Sequence, residues 1–344
     1  MKRTPTMGDV ARLARVGKMT VSRVLNDHPH VTEKTRQRVF SAIAKLGYRP
    51  NEAARALRSE RSKCIGLIVP SLLDSFFGIC AHAIHELARE RGYTVMTVAS
   101  SDDPEVEAAE AEIMLRRKVD GIVVVPANHR RSSLTGKQFG HIPIVCFDRP
   151  VLRSSVDCVI VENEVGGNLA AQHLISHGHT RIAFVGPSAD LFSIQQRQQG
   201  FRKTTKRAGL IAQEVSGMDS RQRAVELLGP LLSSKKAPTA IFTPNNVLTK
   251  FVLEALQTLQ ISVPEQVALV GFDDFELADV LKPTLTVVRQ PAEDLGRTAA
   301  NLLFQRLDSK DKSAPRHVTL PVELVVRNSC GCGAGRHFTA SVRA

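Results

Sequence analysis

The chain has 344 residues, of which 43% are apolar and 23% charged, which suits a globular protein with two or three domains. Its net charge of +12 is concentrated at one end: residues 1–63 carry 15 Lys and Arg against 5 Asp and Glu, a net +10, which leaves +2 for the remainder. No stretch reaches the roughly 18–20 apolar residues of a membrane span, and the basic start lacks the apolar core of a signal peptide. We therefore predict a cytoplasmic protein with no membrane-spanning segment. A basic segment on a nearly neutral body favours a polyanionic partner, either nucleic acid or an anionic membrane surface.

The first 49 residues predict three short helices. Thr6, followed three residues later by Asp9, has the capping-box pattern that starts a helix. The third helix starts at a cap, Thr32, and ends at Gly47. The second helix lies in "KMTVSRVLN" and carries more hydrogen-bond donors than a core helix needs, which suits phosphates and base edges. The alternative is an ordinary helix with a solvated face.

Residues 50–63 predict a short conditional helix. Pro50 stops the third helix, Asn51 can cap a new one, and "EAARALRS" has room for two turns. So short a helix is marginal in water, so we expect it to fold only against a partner.

From Cys64 onward, short apolar runs alternate with amphipathic segments. "CIGLIVP", "YTVMTVAS", "VDGIVVVP", "IPIVCFD", "RIAFVG", "PTAIFTP", "QVALVGFD" and "LTVVRQ" predict strands, and helical patterns separate most of them. This alternation predicts parallel sheets with helices on both faces, and the length fits two lobes. Ligands of such sheets bind beyond the carboxyl ends of the strands, so two facing lobes would enclose a cleft.

Several motifs in this order resemble the lactose-repressor/galactose-repressor family of bacterial transcription regulators. They are "DVARLARVGKMTVSRVLN", "VTEKTRQRV", "LGYRPNEAARALRS", "IGLIVP", "DGIVVVP", "HLISHGHTRIAFVG", "VALVGFDD", "PTLTVVRQP" and "VELVVRNSCGC". The resemblance covers essentially the whole chain. It implies a homodimeric regulator, by default a repressor and not an enzyme, that binds a near-palindromic DNA operator. A small molecule, of the sugar class, would alter operator affinity from the cleft.

The resemblance also implies a fold and its boundaries. The fold would be a small all-α helix-turn-helix head and a hinge helix, joined to a two-lobed α/β body with parallel sheets, like periplasmic binding proteins. The predicted parts are a head at 1–49, a hinge at 50–63, a body at 64–330 and a tail at 331–344. Within the body, the first lobe would take 64–162 and 291–318, and the second 163–290 and 319–330. The tail has no heptad leucines, so a dimer and not a tetramer is expected.

By this resemblance, one set of residues would contact DNA. Lys18 and Met19 would hold the positions that choose bases, and Arg23 would reach a guanine. Leu57 would wedge between base pairs in the minor groove, although it could simply pack on the body. The full predicted set is Thr6, Lys18, Met19, Thr20, Ser22, Arg23, Asn26, Asn51, Arg55, Leu57 and Arg58.

The turn before the second helix departs from the family. The family usually has Gly and Ser where this chain has Arg15 and Gly17. Arg15 would then occupy a turn position with φ above zero, at a cost of about 1 kcal/mol. Gly17 can cap a helix but provides no side-chain acceptor.

A second set of residues follows strand ends and matches the effector positions of the family. Aromatic side chains would form an apolar wall for a sugar ring, and carboxylates, an amide and guanidinium groups would bind its hydroxyls. The predicted set is Phe76, Phe77, Asp148, Arg149, Arg197, Asn245 and Asp273. Each could instead have a structural role: Arg149 could pair with Asp148, Asn245 could cap a helix, and the two Phe could be core residues. Asn246 stands where the family usually has Asp.

No cofactor, metal or catalytic site is predicted. His173, His177 and His179 have a spacing that could hold a metal, but their segment resembles an ordinary helix end of the family. Cys330 and Cys332 are too close in sequence for a usual structural zinc pair. Two other classes stay open: a cytoplasmic sugar-binding protein without regulatory function, and an α/β sugar-metabolising enzyme. No phosphate loop or dinucleotide fingerprint follows a strand, which argues against the enzyme.

Overall fold

The structure is a computed structural model in which residues 5–25, 28–48, 61–130, 134, 139, 142–151, 154–188, 191–309 and 314–332 are described. The chain divides into two compact units, Met1–Ser62 and Lys63–Ala344. The predicted hinge helix, with Asn51, Arg55, Leu57 and Arg58, lies outside the described residues, as does Asn26.

The first unit contains the three predicted helices, α1 (Met7–Ala14), α2 (Lys18–Leu25) and α3 (Glu33–Leu46). The capping box of Thr6 and Asp9 is confirmed: the Asp9 backbone N–H donates to Thr6 Oγ1, and Asp9 Oδ2 accepts from the Thr6 backbone N–H at 2.9 Å. The cap at Thr32 and the left-handed Gly47 at the end of α3 are confirmed as well. A small shared core holds the three helices together: Val10, Ala11, Ala14, Val21, Val24, Val39, Ala42 and Tyr48.

The second unit alternates strands and helices, as predicted. Its helices are α4 (Ser75–Glu90), α5 (Pro104–Arg116), α6 (Asn163–Ser176), α7 (Phe192–Arg207), α8 (Arg221–Leu232), α9 (Asn246–Thr258) and α10 (Ala292–Ser309). Its strands are β1 (Cys64–Val69), β2 (Thr94–Ala99), β3 (Ile122–Val124), β4 (Ile144–Phe147), β5 (Asp157–Val161), β6 (Ile182–Val185), β7 (Gln213–Val215), β8 (Ala240–Phe242), β9 (Ala268–Phe272), β10 (Thr286–Arg289), β11 (His317–Leu320) and β12 (Glu323–Val325). Among the described residues, no helix is both long enough and apolar enough to cross a membrane.

These strands form two six-stranded sheets, one in each lobe. The first has the order β11-β5-β4-β3-β1-β2, and all its pairs are parallel. The second has the order β12-β10-β9-β8-β6-β7, with β12 antiparallel to β10 and the other pairs parallel. The central strands of each sheet are buried on both faces, as alternate residues of one strand belong to different cores: in β1, Leu67 faces α4 and Ile68 faces α5. The buried faces explain why these strands have nearly continuous apolar sequences.

Within the described chain, three segments cross between the lobes. They follow β5, β10 and β11. The first lobe was predicted to end at residue 318, but β11 pairs with β5 up to Leu320 opposite Val161, so the third crossing comes after Leu320. The strands β5, β7, β11 and β12 have no counterpart among the predicted strands. β7, β11 and β12 contain only exposed and half-buried positions, so they lack the apolar runs that mark the central strands. β5, in contrast, is an almost fully buried strand that the sequence prediction missed.

Candidate functional site

The exposed face of α2 carries the predicted base-reading residues. Lys18, Met19 and Arg23 are exposed, with 69% of the Met19 surface accessible. On the opposite face, Val21 and Val24 are buried against α1 and α3. Positions 18, 19, 22 and 23 share one side of a helix, so Ser22 lies beside the exposed residues, and Thr20 is half-buried at the edge.

The turn before α2 has the left-handed residue that the sequence predicted. Arg15 has φ 52° and ψ 50°, and its backbone N–H donates to the carbonyls of Ala11 and Arg12. Arg38 Nη2 donates to the carbonyls of Ala14 and Arg15, at 2.5 and 3.2 Å. Arg38 therefore satisfies carbonyls that the end of α1 leaves unpaired. Gly17 directly precedes α2, and its carbonyl accepts from the N–H groups three and four residues on.

Thr6, which directly precedes α1, is exposed, but its side chain already has a hydrogen-bond partner. Its hydroxyl donates to Asp9 Oδ2 at 2.6 Å. The structure thus gives Thr6 a capping role, and contact with a ligand there stays a prediction.

In the second unit, four charged side chains are brought together in the cleft between the lobes. Asp148, Arg149, Arg197 and Asp273 keep 2–5% of their surface. Asp148 follows β4 and Asp273 follows β9, so each lobe contributes a carboxylate from a strand end. Both Asp residues have a positive φ, 63° and 71°, a conformation that costs energy and is enriched at functional sites. Buried charges of both signs at strand ends are what a polar ligand site requires.

Arg197 is held by three contacts of its guanidinium group. Its Nε donates to Asn163 Oδ1 at 2.8 Å, its Nη1 donates to the Pro244 carbonyl at 2.7 Å, and its Cζ lies 3.6 Å from the centre of the Phe272 ring. Such an arginine is held in one orientation before any ligand arrives.

Two glycines allow the helix packing that positions Arg197. A Cβ on Gly167 of α6 would come within 1.9 Å of the Arg197 carbonyl oxygen, and a Cβ on Gly200 of α7 would come within 1.9 Å of the Glu164 carbonyl oxygen. The two helices therefore pack backbone against backbone, which only glycine permits at these two positions.

The two carboxylates differ in their partners. Asp273 accepts hydrogen bonds from Gln290 Nε2 and from the Asn246 backbone N–H. Burial raises the pKa of Asp273 to about 6, although Arg197 and these hydrogen bonds oppose the rise. Burial also raises the pKa of Asp148, although Arg149 and Arg197 oppose it. Arg149 is paired with Asp148 at 3.3 Å, as one of the sequence alternatives proposed, and it also donates to Asp102.

A direct hydrogen bond joins the lobes across the cleft. Asn246 Nδ2, at the start of α9, donates to Asp74 Oδ1 at 2.8 Å, and it lies 3.4 Å from Ser75 Oγ. Asp74 also caps α4, because its carboxylate accepts from the Phe76 backbone N–H at 3.0 Å.

For Asn245, predicted to bind the effector, the structure shows the capping role that the sequence left open as an alternative, and contact with an effector stays a prediction. Its side chain caps α9 and accepts from the Leu248 backbone N–H at 2.8 Å, which keeps its amide at the helix end. The next residue, Asn246, is the one that faces the other lobe.

Phe76 and Phe77 pack edge to face, with ring centres 5.1 Å apart, and both belong to the core of the first lobe. Only Phe76 lines a cavity of about 390 Å³, which it shares with Asp273 and Gln290 at the lobe boundary. Phe76 therefore fits the predicted apolar wall, whereas Phe77 fits the core alternative.

Two buried amide oxygens in this region have no hydrogen-bond partner within the part of the chain that the structure describes. They are Asn246 Oδ1 and Gln290 Oε1. The Nε of Arg149 also makes no hydrogen bond there, although it is within ion-pair distance of Asp148. Because an unsatisfied buried polar atom costs about 1–3 kcal/mol, such groups call for a ligand or water. Acceptors beside carboxylates and guanidinium groups suit a ligand with several hydroxyl groups.

Comparison with known proteins identifies the family. Residues 6–51 match the profile of bacterial regulatory proteins of the lacI family, and residues 171–330 match that of a periplasmic binding protein-like domain. The HTH-type transcriptional regulator DegA of Bacillus subtilis is 34% identical over 336 residues, which cover 94% of this chain and 97% of that protein. The ribose operon repressor of Escherichia coli is 31% identical over 92% of this chain and 97% of its own length.

The chain belongs to the lacI family. Among solved structures, the lac repressor dimer bound to operator and the anti-inducer ONPF has a TM-score of 0.85 at 27% identity, covering 95% of this chain and 99% of that one. The complex of the transcriptional regulator CelR with cellobiose has a TM-score of 0.69 at 30% identity, covering 94% and 99%. The predicted fold class is confirmed. The lacI-family relatives are regulators and not enzymes, which removes the sugar-metabolising alternative.

Several cleft residues of this lacI-family protein were not predicted. They are Asp74, Asp102, Asn163, Asn246 and Gln290. A signal existed for two of them, because Gln290 directly follows β10 and Asp74 precedes the helix after β1, and such strand ends border the cleft. Asp102 and Asn163 also lie just beyond strand ends, after β2 and β5, but only the structure shows that each holds an arginine from a distant element.

Proposed function

We propose that the protein is a transcription regulator, by default a repressor, which binds a near-palindromic DNA operator as a homodimer. A small hydroxylated molecule of the sugar class, bound in the cleft between the lobes, changes its operator affinity. The observation that carries the effector site is the pair of unsatisfied amide oxygens, Asn246 Oδ1 and Gln290 Oε1, beside Asp273.

The DNA-binding part of the proposal rests on charge and exposure. The net +10 of residues 1–63 suits the phosphate backbone. On α2, Lys18 and Arg23 can donate to guanine in the major groove, Met19 offers apolar contact, and Thr20 and Ser22 can bind phosphates. Thr6 would add a phosphate contact at the start of α1. The roles of Asn26, Asn51, Arg55, Leu57 and Arg58 are carried by family resemblance, because these residues lie outside the described part.

The effector-binding part rests on the cleft geometry. Asp148, Arg149, Arg197 and Asp273 would provide charge, and Phe76 an apolar contact. Relatives support the ligand class: one is named a ribose operon repressor, and a structural neighbour is a complex with cellobiose. Several relatives are PurR repressors, so a purine belongs in the test.

The homodimer is proposed because the lac repressor is a dimer on its operator in the similar structure. Two heads on one two-fold axis match two half-sites. A protein that acts on DNA in this way works in the cytoplasm of a bacterium.

The decisive experiment is selection of DNA from a random duplex pool by the full-length protein at near-physiological salt, with competitor DNA. We expect a two-fold symmetric site. Repeating the binding with a panel of sugars, sugar phosphates and purines should reveal one compound that changes affinity by tenfold or more, on the order of 1.4 kcal/mol. If no sequence is enriched under any of these conditions, the regulator proposal is wrong.

A matched pair of variants links the effector to the cleft. Gln290→Leu removes an unsatisfied oxygen and should abolish the response to the compound while operator binding persists. Gln266→Leu changes a glutamine that pairs only with its own turn, at Ser262, and should keep the response. An equal response in both variants would place the effector elsewhere.

A further inference from the structure

In the second lobe, the structure joins two motifs that lie about 150 residues apart in the sequence. His173 and His177 are one turn apart on α6, with ring centres 4.6 Å apart. Cys332 Sγ lies 3.3 Å from His173 Nε2 and 3.0 Å from His177 Nε2. Cys330 Sγ lies 2.6 Å from Cys332 Sγ. The donor atoms of His173, His177 and Cys332 therefore all lie within 4.8 Å of one another, and the Cys330 thiol lies directly beside that of Cys332.

The backbone that carries the two thiols is held firmly by the second sheet. The Leu269 N–H donates to the Ser329 carbonyl at 2.8 Å, and Ser329 Oγ both donates to the Leu269 carbonyl at 2.6 Å and accepts from the Thr286 N–H at 2.8 Å. Gly331 has φ +83°, a value that glycine adopts freely and that turns the chain sharply between the cysteines. These contacts with β9 and β10 therefore position the two cysteines.

The geometry is close to that of a tetrahedral zinc site. Zinc binds sulfur at about 2.3 Å and imidazole nitrogen at about 2.0–2.1 Å, so ligand atoms on one ion are about 3.3–3.8 Å apart. The two sulfur–nitrogen distances of 3.0 and 3.3 Å are near this range. The two sulfurs, 2.6 Å apart, are closer than two ligands of one ion, so binding of the ion requires them to separate by about 1 Å.

The donor set also selects the type of cation. Thiolate and imidazole are soft or borderline ligands that favour zinc over magnesium or calcium. Four protein ligands leave no open position, which is typical of a structural and not a catalytic zinc ion.

We propose that His173, His177, Cys330 and Cys332 bind one zinc ion, which joins α6 to the segment after β12. Two of these four residues are on a helix and two follow a strand, so the ion fastens the end of the described chain to the second lobe. Bound metal adds to the stability of the folded state, because the unfolded chain offers no assembled site. Neither the spacing of the histidines nor that of the cysteines predicts a metal site when it is taken alone.

The first test measures zinc stoichiometry of the full-length, fully reduced protein. The protein is stripped with a chelator, incubated with Zn²⁺ alone, desalted and analysed for zinc and protein. We expect one zinc per chain. His177→Gln and Cys332→Ser should lower zinc affinity by more than about 100-fold, since even the loss of an outer-shell partner costs 10–100-fold.

Two matched variants serve as controls. His82→Gln changes an exposed histidine on α4, and Cys64→Ser changes a partly buried cysteine in β1 of the other lobe. Both should keep one zinc per chain. If all four variants bind zinc equally, or if the wild-type protein retains none, the proposal is wrong.

A second measurement on the wild-type protein does not depend on whether the variants fold. Co²⁺ in place of Zn²⁺ should give the visible absorption of a four-coordinate ion and a thiolate-to-cobalt charge-transfer band, and added Zn²⁺ should remove both. The spectrum of a six-coordinate ion without the thiolate band would overturn the proposal. So would a protein mass two hydrogens lower under reducing conditions, because a disulfide between Cys330 and Cys332 would have consumed both thiols.

Discussion

At the scale of single residues, the cleft holds two adjacent carboxylates with opposite tendencies. Burial raises the pKa of Asp273 to about 6. Burial also opposes ionisation of Asp274, but hydrogen bonds from Arg327 and Arg289 outweigh it and lower the pKa of that residue. Asp273 therefore costs the folded protein free energy when it is ionised, whereas Asp274 contributes stability. This difference suits a ligand-binding carboxylate beside a structural one.

The first prediction concerns pH. The folded pKa of Asp273 is raised above the ordinary carboxyl value of 3.8, so its ionisation opposes folding above pH 6, by about 3 kcal/mol at most, and this cost fades as the pH falls toward 4. Asp273→Asn should raise the free energy of unfolding at pH 7 by about 1–3 kcal/mol and much less at pH 4.5, measured by urea unfolding. Asp274→Asn, the control, should lower it at pH 7. A gain that is the same at both pH values would contradict the pKa assignment.

The second prediction concerns Arg15 in the turn before α2. A left-handed φ of 52° on a residue with a Cβ costs about 1 kcal/mol, so Arg15→Gly should stabilise the first unit by up to about that amount. Arg15→Ala removes the charge but keeps the Cβ and should give no gain. Hydrogen exchange of the α1 and α2 amides in the full-length protein would measure both. An equal effect of the two variants would mean that charge, and not backbone strain, decides the stability of this turn.

At the scale of elements, the contact between α6 and α7 determines where Arg197 points. The sequence shows a helix in each place, but the close approach depends on Gly167 and Gly200 facing each other across the pair. A helix interior normally disfavours glycine by about 1 kcal/mol. Here the glycines permit backbone contact that places a buried guanidinium group in the cleft.

The third prediction tests that contact. Gly167→Ala would place a methyl group 1.9 Å from the Arg197 carbonyl oxygen, which forces the helices apart and should cost about 3 kcal/mol or more. Effector binding should weaken as well, because Arg197 moves with α7. Thermal unfolding and calorimetric titration measure the two effects. Gly78→Ala on α4 has no atom within 4 Å of the new methyl and should stabilise by up to about 1 kcal/mol. A Gly167→Ala protein as stable as the wild type would refute the packing argument.

At the scale of the whole molecule, the second unit is two lobes connected by three segments. Such an arrangement can open and close as a hinge, because few residues need to change conformation. In the described structure, the Asn246–Asp74 hydrogen bond joins the lobes across the cleft at 2.8 Å. A charged acceptor makes this bond worth about 1.5–3 kcal/mol.

The fourth prediction follows from that bond. Asn246→Ala should shift the population toward an open arrangement and increase the radius of gyration measured by small-angle X-ray scattering without ligand. Asn245→Ala is the matched control: it removes the cap of α9, at a cost of about 1 kcal/mol in stability, and leaves the lobe contact intact. A larger radius in both variants, or in neither, would show that this bond does not hold the lobes together.

Features that depend on near neighbours can be predicted from the sequence. The caps at Thr6 and Thr32 and the alternation of strands and helices follow from residues within a few positions of each other. The left-handed Arg15 was expected instead from the glycine that the family usually has at that position. The concentration of positive charge in residues 1–63 is likewise a property of composition alone. Family motifs then led to Asp148, Arg149, Arg197 and Asp273, all of which lie buried at the cleft.

Which side chains contact each other depends on the tertiary structure. Asn245 and Asn246 have the same side chain. At the start of α9, Asn245 caps the helix, whereas the Asn246 side chain reaches Asp74. The histidines of α6 and the cysteines after β12 are separated by about 150 residues. The chain leaves the second lobe after β10 and returns to it after β11, which brings these side chains together. The physical reason is the same in both cases. Local spacing fixes the conformation of a segment, whereas the contacts of its side chains depend on strand order and helix packing, which join distant parts of the chain.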